Sequence, residues 1–335
     1  MTREAHPREF GPGLTLVQVD ALIVRMSEAL RARRYSGRTE QAYVGWVRRF
    51  LRFHVRRPPG ETGLVEVNAS LNRLATIARV SASTQNQAAS ALSFFHEHVL
   101  GVELGPLKGM VRARRGKRLP VVLDRSEVKE ILGRLEMPYR LVALLLYGSG
   151  LRLHEALGLR VHDLEMERFE VLVREGKGGH DRVTMVAEAA RPAIERWIGR
   201  IRRLHERDVA REAGWVDLPD ALRHKYPNAG REFGWQWLFP GSRLRRLTFG
   251  ERGRHPLHDS AVQRSVKEAV RLSGISKPAT CHTFRHSFAT HLLQDGCDIR
   301  TIQELLGHKS VRTTMIYTHV LNQGGLGIKS PLDRL

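Results

Sequence analysis

Cysteine is scarce in this sequence, and it has no long hydrophobic runs. The two cysteines, Cys281 and Cys297, cannot build a disulfide framework, which is typical of a reducing compartment. No apolar run reaches the roughly 20 residues of a membrane span. The N-terminal residues 1–14 lack the apolar region of a signal peptide. We therefore expect a cytoplasmic protein that begins with a short flexible tail.

Acidic residues are too few to balance the basic ones. Against 55 Lys and Arg stand 35 Asp and Glu, which gives a formal net charge of +20. Such an excess indicates a polyanionic partner, nucleic acid first and an anionic membrane surface second. The charge is clustered, with nine arginines and one acid in residues 31–57 and six basic residues and no acid in residues 108–118. Clustering favours nucleic-acid binding over a merely solvated surface.

A metal site is conceivable around the first cysteine. Cys281 and His282 lie close in sequence to His286 and His291. A structural zinc site needs a second ligand pair at regular spacing, and the sequence offers none. We therefore expect no metal and no cofactor.

The length and the composition predict two domains. Residues 15–105 predict four helices with arginine-rich faces: Val19–Leu30, a helix beginning at Ser36–Thr39, Val65–Ile77, and a helix capped by Ser83 and Thr84 that Gly101 ends. Residues 106–119 predict a basic extended linker that could follow a phosphate backbone.

The second domain is predicted to span residues 120–335. Asp124 and Glu127 form a capping-box pattern, and residues 139–147 predict a buried helix. Residues 169–174 and 182–186 predict strands of a hairpin, and residues from Ser260 onward predict helices. The fold class is therefore mainly α with a small β-sheet.

Six residues of this domain suit chemistry on a phosphodiester. They are Arg152, Lys177, His282, Arg285, His308 and Tyr317. In-line attack needs stabilisation of the charged non-bridging oxygens, removal of a proton from the nucleophile and protonation of the leaving oxygen. Arginine forks suit the first task, and histidine, lysine and tyrosine suit the others. Each residue alone has an ordinary structural explanation; the combination is what indicates the chemistry.

Helix breaks and caps lie next to several of the six candidate residues and would fix their positions. Arg152 follows the helix-breaking run Gly148–Leu151, and His308 follows Gly307, a predicted helix C-cap. His282 and Arg285 share one side of a helix start, and Ser310 is expected to cap the helix of Tyr317.

Together these residues resemble the tyrosine recombinase family, the phage-type integrases. The matching motifs are Gly148-Ser149-Gly150-Leu151-Arg152, Lys177 in its hairpin, His282-x-x-Arg285, Leu306-Gly307-His308 and Tyr317. The resemblance implies a helical core-binding domain and a catalytic domain that clamp DNA as a C shape. It implies that Tyr317 forms a 3′-phosphotyrosyl link and that Arg152, Arg285 and His308 hold the phosphate. It also implies that Lys177 protonates the 5′-oxygen and that His282 assists proton transfer at Tyr317.

Within that family the chain is similar to integron integrases. The similar segments lie within residues 34–43, 119–123, 218–240, 313–321 and 330–333. The resemblance implies capture and excision of gene cassettes at duplex sites and folded single-stranded hairpins, which an insertion at about 215–240 binds. It also implies a tetramer on two DNA sites, in which the tail 318–335 docks on a neighbouring subunit.

Aromatic and basic residues could contact the DNA. The candidates are Arg33, Arg34, Arg38, Arg112, Arg114, Arg115, Lys117, Lys225, Tyr226, Phe233, Trp235 and His255. Flat rings beside cations suit base stacking, although the same aromatics could pack the insertion onto its own domain. Phe233 stands where the resemblance predicts tryptophan, and His255-Pro256 where it predicts paired histidines, which leaves efficiency on hairpins open.

Other functions stay open at this point. A phage or Xer-type recombinase acting on duplex sites would share the six residues. A non-catalytic DNA-binding regulator could share the scaffold, but the intact set of six argues against it. A type IB topoisomerase would use similar chemistry without joining strands from two molecules.

Overall fold

The computed structural model describes residues 16–54, 59–107, 109–113, 120–176 and 180–318. It divides into two compact units, Met1–Lys117 and Arg118–Leu335. The predicted N-terminal tail, the linker residues 114–119 and the C-terminal residues from 319 lie outside the described ranges. Within those ranges, no helix combines the length and the apolar character needed to cross a membrane.

The described part of the first unit contains four α-helices, as predicted. They are α1 (Leu16–Ala32), α2 (Gly37–Phe53), α3 (Leu64–Thr76) and α4 (Ala82–Phe95). Ser36 caps α2 by accepting a hydrogen bond from the Thr39 amide at 3.2 Å. The predicted cap of α4 was wrong: Ser81 accepts from the Thr84 amide, because Ser81 is extended whereas Ser83 is already helical. A π-helical turn, His96–Leu100, follows α4 and ends at Gly101, which has a φ of 71°.

The start of the predicted linker is attached to the first unit. Gln85 donates to the carbonyl of Val111 at 2.8 Å and accepts from the amide of Ala113 at 2.9 Å. Asn72 accepts from the Val111 amide at 2.7 Å. Residues 109–113 have no helix or strand, and these bonds pair both backbone polar groups of Val111 and the amide of Ala113.

Helices dominate the second unit. They are α5 (Arg125–Arg134), α6 (Tyr139–Gly148), α7 (Leu153–Leu157), α8 (Arg191–Val209), α9 (Asp220–Lys225), α10 (Asp259–Leu272), α11 (Cys281–Gln294), α12 (Ile299–Leu306) and α13 (Val311–Thr314). The capping box of α5 is confirmed, since the Asp124 amide donates to Glu127 at 2.7 Å. Loops separate the helices after residue 259, and α8 was not predicted.

A small antiparallel sheet completes the unit. Its strands are β1 (Leu164–Glu165), β2 (Glu170–Gly176) and β3 (His180–Met185), in that order. The predicted hairpin of β2 and β3 is confirmed, with Val173 opposite Arg182. Lys177 lies outside the described residues. A two-residue ribbon pairs β4 (Arg245–Arg246) with β5 (Arg252–Gly253). The fold is thus mainly α with a small sheet.

The core brings the turn after α6 against α11. Phe284 of α11 is fully buried in the cluster that contains Leu141 and Leu145 of α6. Gly150 follows α6 with a φ of +64°, and a Cβ at this position would lie 2.4 Å from the ring of Phe288. Glycine is therefore required here, and the close approach holds Arg152 beside α11.

The segment predicted as an insertion, residues 215–240, has its own small core and is fixed to the rest of the second unit. Val216, Leu218 and Ala229 are buried together, with Trp235 and Trp237 packed against them. The guanidinium of Arg160 lies 3.8 Å from the centre of the Trp237 ring. It also donates to the carbonyl oxygens of Trp235 at 2.6 Å and Asp217 at 2.8 Å.

Candidate active site

Arg285 is the most buried cation of the site. It lies in the second turn of α11, whose first turn is capped by Thr280 and Thr283, and it is 1% exposed. It donates to the carbonyl oxygens of Gly150 and, at 2.6 Å, Leu306. Burial and the nearby charge of Arg152 lower the pKa of Arg285 to about 9, so it still carries its charge near neutral pH.

Arg152 lies at the start of α7 and is more accessible. Its side chain is 24% exposed, and Nη1 donates to Glu155 at 2.7 Å. The backbone amide of Arg152 donates to the same carboxylate at 2.8 Å. Glu155 therefore caps α7 and fixes the guanidinium with one side chain.

Glu155 and Arg182 are site residues that the sequence analysis missed. Two guanidinium nitrogens of Arg182 donate to Glu155 at 2.7 and 3.1 Å, and Arg285 lies 3.7 Å from it. Burial alone would raise the pKa of Glu155, but hydrogen bonds and charge from Arg182 and Arg152 lower it to about 2. No local motif marks this pair, because it joins β3 to α7 across the fold.

His308 lies directly after α12, as predicted. Gly307 ends that helix with a φ of 62°, and a Cβ there would lie 2.7 Å from the Arg182 side chain. Nε2 of His308 accepts from Arg285 at 3.1 Å, and Nδ1 lies 3.0 Å from the Thr314 hydroxyl. Burial and the charges of Arg285 and Arg152 lower the pKa of His308 to about 4, so the ring is neutral near pH 7.

Tyr317 ends a 3-10 turn, Met315–Tyr317, that follows α13. Ser310 caps α13 as predicted, with its hydroxyl 3.3 Å from the Arg312 amide. Tyr317 is 2% exposed, and its ring lies parallel to that of His308 at 6.4 Å. Burial raises the pKa of the phenol, while the charges of Arg285 and Arg152 act in the opposite direction.

The histidine at the Tyr317 hydroxyl is not the predicted one. Nδ1 of His286 lies 3.2 Å from the hydroxyl oxygen. His282 is exposed and packs its ring edge-on against His286, with the ring centres 4.3 Å apart. The family motif pointed to His282, and His286 follows Arg285 directly without a signal of its own.

The assembled side chains form an anion site. Arg152, Arg182 and Arg285 bring three positive charges to one carboxylate, Glu155. A phosphodiester could be bound by the uncompensated charge, with Tyr317 and His308 beside it. The structure thus brings together Arg152, Arg285, His308 and Tyr317, with His282 at the edge; Lys177 lies between β2 and β3, outside the described residues.

The residues predicted to contact DNA differ in exposure. Those exposed are Arg33, Arg34, Arg38 and Arg112 in the first unit and Lys225, Tyr226 and His255 in the second. Arg114, Arg115 and Lys117 lie outside the described residues. Phe233 and Trp235 are half-buried, with Arg202 4.1 Å above the Phe233 ring and the His162 ring 4.4 Å from Trp235. These neighbours cover part of each ring, and base stacking by Phe233 and Trp235 stays a prediction.

A cleft of about 920 Å³ opens between α8 and the chain around residues 240–258. Apolar surface comes from Trp197, Leu204, Pro240 and Pro256, and positive charge comes from Arg200, Arg207 and Arg243, with His255 beside them. Trp197 is held by a 2.8 Å hydrogen bond from its indole nitrogen to the carbonyl of Leu238. His255 was among the predicted DNA contacts, but the cleft itself has no sequence signal, because its walls come from distant segments.

Comparison with known proteins identifies the family. The family model described as the phage integrase family matches residues 121–323, and the phage integrase N-terminal SAM-like domain matches residues 22–106. An integrase/recombinase from Escherichia coli is 49% identical over 314 residues, which cover 93% of each chain. Tyrosine recombinase XerC from Mesorhizobium japonicum is 34% identical over 317 residues, 87% of each chain.

Two solved structures with a similar fold are recombinases bound to their sites. XerH recombinase bound to a palindromic difH substrate matches with a TM-score of 0.60 at 19% identity, over 94% of this chain and 88% of that one. A lambda integrase fragment, a dimer on a COC′ core site, matches with a TM-score of 0.59 at 19% identity, over 92% and 98%. The chain belongs to the phage integrase family and is a tyrosine recombinase, an enzyme that breaks and rejoins DNA strands.

Proposed function

We propose that this tyrosine recombinase is an integron-type integrase that captures and excises gene cassettes. It would act on a duplex site and on folded single-stranded hairpins through a covalent intermediate on Tyr317. The observation that carries this proposal is the fixed insertion beside the basic, apolar-walled cleft, because a duplex-only recombinase has no need of a separate site for an unpaired base.

In the chemical step, Tyr317 attacks the scissile phosphorus and the 5′-oxygen leaves. Arg152 and Arg285 bind the non-bridging oxygens, where their forks stabilise the charge that develops. His308, held by Arg285 and Thr314, orients the same phosphate. Lys177 donates the proton that the 5′-oxygen needs.

The cleft suits an unpaired nucleotide. Its volume of about 920 Å³ lies within the range of roughly 300–1,000 Å³ found for small-molecule sites. Pro240 and Pro256 offer apolar surface for a base, and exposed Arg200 and Arg243 can bind the flanking phosphates. Tyr226 on the insertion is 49% exposed and provides a further ring beside Lys225.

A recombinase restricted to duplex sites is the second candidate. The similarity to XerC over 87% of both chains supports it. The two proposals share the active site, and they differ in what the cleft and insertion do. In both proposals the protein acts as a tetramer on two DNA sites, and the tail from residue 318 docks on a neighbouring subunit.

The covalent step is tested with a nicked suicide substrate. Tyr317→Phe keeps the buried ring and removes the nucleophile, so it should bind DNA but form no covalent adduct on a denaturing gel. Wild-type protein should form the adduct in excess chelator as well. An adduct with Tyr317→Phe would contradict the assignment of the nucleophile.

The integron-type proposal is tested by comparing a hairpin with a duplex site. Ser242→Trp fills the cleft from an exposed position, and Arg200→Ala removes one of its cations. Ser242→Trp should depress recombination of the hairpin by a factor of about 5 to 150, as loss of a base contact worth roughly 1–3 kcal/mol predicts. Arg200→Ala should also depress it, because a phosphate contact is lost, and both variants should leave duplex cleavage intact. Arg196→Ala is the matched control, since Arg196 is exposed on the same helix outside the cleft. Equal losses on both substrates would favour the duplex-only candidate.

A further inference from the structure

The hydroxyl of Tyr317 has a defined hydrogen-bond partner. His286 Nδ1 lies 3.2 Å from it, and the centres of the two rings are 5.6 Å apart. The tyrosine is 2% exposed, so in this conformation water has little access to its hydroxyl. A proton that leaves the phenol must therefore pass to a neighbouring side chain, and His286 is at hydrogen-bond distance.

The other histidines of the site are engaged elsewhere. His308 uses Nε2 with Arg285 and Nδ1 with Thr314, at 3.1 and 3.0 Å. His282 lies on the exposed side, and its ring packs on that of His286. Within the described part of the chain, the geometry thus favours His286 over both as the group that receives the proton.

His286 can serve as an acceptor near neutral pH. Burial, together with the charges of His282 and Arg285, lowers its pKa to about 4, so the ring is uncharged. Donation from the phenol to Nδ1 fixes the tautomer with the hydrogen on Nε2. Bound phosphate would compensate the charges of Arg152, Arg285 and Arg182, and this would raise the affinity of His286 for a proton.

We propose that His286 is the general base for Tyr317 in strand cleavage and the general acid for its release in religation. In cleavage, the phenol proton moves to Nδ1 while the bond between tyrosine oxygen and phosphorus forms and the bond to the 5′-oxygen breaks. In religation the 5′-hydroxyl gives its proton back to Lys177 as it attacks phosphorus, the bond between phosphorus and tyrosine oxygen breaks, and the departing tyrosine oxygen takes the proton from His286. This inference rests on the proposed role of Tyr317 as the nucleophile.

The test separates proton transfer from mere positioning. His286→Asn can place an oxygen close to the position of Nδ1 and accept the hydrogen bond, but an amide cannot take up the proton. His286→Ala removes both functions. If His286 is the base, both variants should slow single-turnover adduct formation by about 100-fold or more. The rate decrease on the acidic side of the wild-type pH profile should also disappear in His286→Asn.

A second substrate distinguishes base from acid. A bridging 5′-phosphorothiolate has a thiolate leaving group that departs without a proton, so it bypasses the general acid. The defects of both His286 variants should persist on this substrate, whereas the defect of Lys177→Ala should be relieved. Relief of the His286 variants would overturn the proposal, because it would show a role at the leaving oxygen.

His291→Asn is the matched control. His291 lies on the same helix and hydrogen-bonds a different tyrosine hydroxyl, that of Tyr147, at 2.8 Å. It should cleave at the wild-type rate even if its stability falls. Circular dichroism and DNA binding establish that each variant is folded, and if His286→Ala unfolds, His286→Asn alone decides.

The possible failures are distinguishable. A wild-type rate in His286→Asn, with Tyr317→Phe inactive, would overturn the general-base proposal and leave the function of Tyr317 intact. An adduct formed by Tyr317→Phe would instead remove the nucleophile on which both proposals depend.

Discussion

Arg182 and Glu155 are joined by two hydrogen bonds, from Nη2 at 2.7 Å and from Nη1 at 3.1 Å. Nε of Arg182 donates to the carbonyl of Leu305 at 3.0 Å, near the end of α12. Arg182 of β3 therefore connects Glu155, which fixes Arg152, with α12, the helix that precedes His308. Residues far apart in sequence are held together through a single buried ion pair.

Removal of the Glu155 charge should destabilise the protein. Glu155→Gln leaves Arg152, Arg182 and Arg285 without their shared carboxylate, and breaking a buried ion pair typically lowers the free energy of unfolding by about 3–5 kcal/mol. Denaturant titration of both proteins measures the difference. Glu268→Gln, which breaks an exposed pair with Arg271, should have a much smaller effect. Comparable losses in the two variants would contradict the structural role of Glu155.

Charge alone should not replace the arginines of the site. Arg152→Lys and Arg285→Lys keep a cation but lose the fork, and loss of one such donor in a preorganised site typically lowers rates by a factor of about 10²–10³. Arg285→Lys should also lose stability, because Arg285 donates to the carbonyls of Gly150 and Leu306. Single-turnover adduct formation gives the rates, and denaturation gives the stabilities. A near-wild-type rate for either variant would count against phosphate contact.

Stability without DNA should fall as the pH decreases from 6.5 to 4. His286 and His308 both have a pKa lowered from 6.5 to about 4 by burial, so the unfolded chain binds more protons in this window. The contribution of these rings to stability is therefore complete above pH 6.5 and is lost towards pH 4. Because both rings are partly exposed, the loss for each is smaller than the roughly 3 kcal/mol that a fully buried ring with this pKa difference would give.

Denaturation at a series of pH values tests this expectation. His308→Gln and His286→Asn should each flatten the curve between pH 6.5 and 4. His224→Gln, at an exposed position, should leave it unchanged. A wild-type curve that is already flat would show that these rings do not titrate as their burial implies.

Local rules predicted much of the fold. The cap at Ser36, the capping box of Asp124 and Glu127, and the helix end at Gly307 depend on neighbours within a few residues. Helix α8 was missed although Ile194, Trp197 and Ile201 repeat at helical spacing and are buried. That signal was present in the sequence and masked by the many arginines between those positions.

Other features depend on contacts that no local pattern encodes. Glu155, Arg182 and His286 enter the site through pairs between distant elements. Trp235 had the composition expected of a stacking residue, but Arg160 and His162 approach it in the folded chain. Whether an aromatic faces solvent or a neighbour is decided by tertiary packing, which spacing alone does not reveal.

DNA binding should weaken steeply as salt concentration rises. If about 10 phosphates are neutralised, the logarithm of affinity should fall with the logarithm of salt concentration with a slope near −9, because bound cations on the DNA are released. The exposed Arg33, Arg34 and Arg38 are expected to contribute. Each arginine-to-alanine change that removes one phosphate contact should make the slope shallower by about 1.

Arg271→Ala, where the arginine is paired with Glu268, is the matched control and should leave the slope unchanged. Fluorescence anisotropy over a salt series measures the slope, and a flat response would show that the charge excess does not act through phosphate contacts.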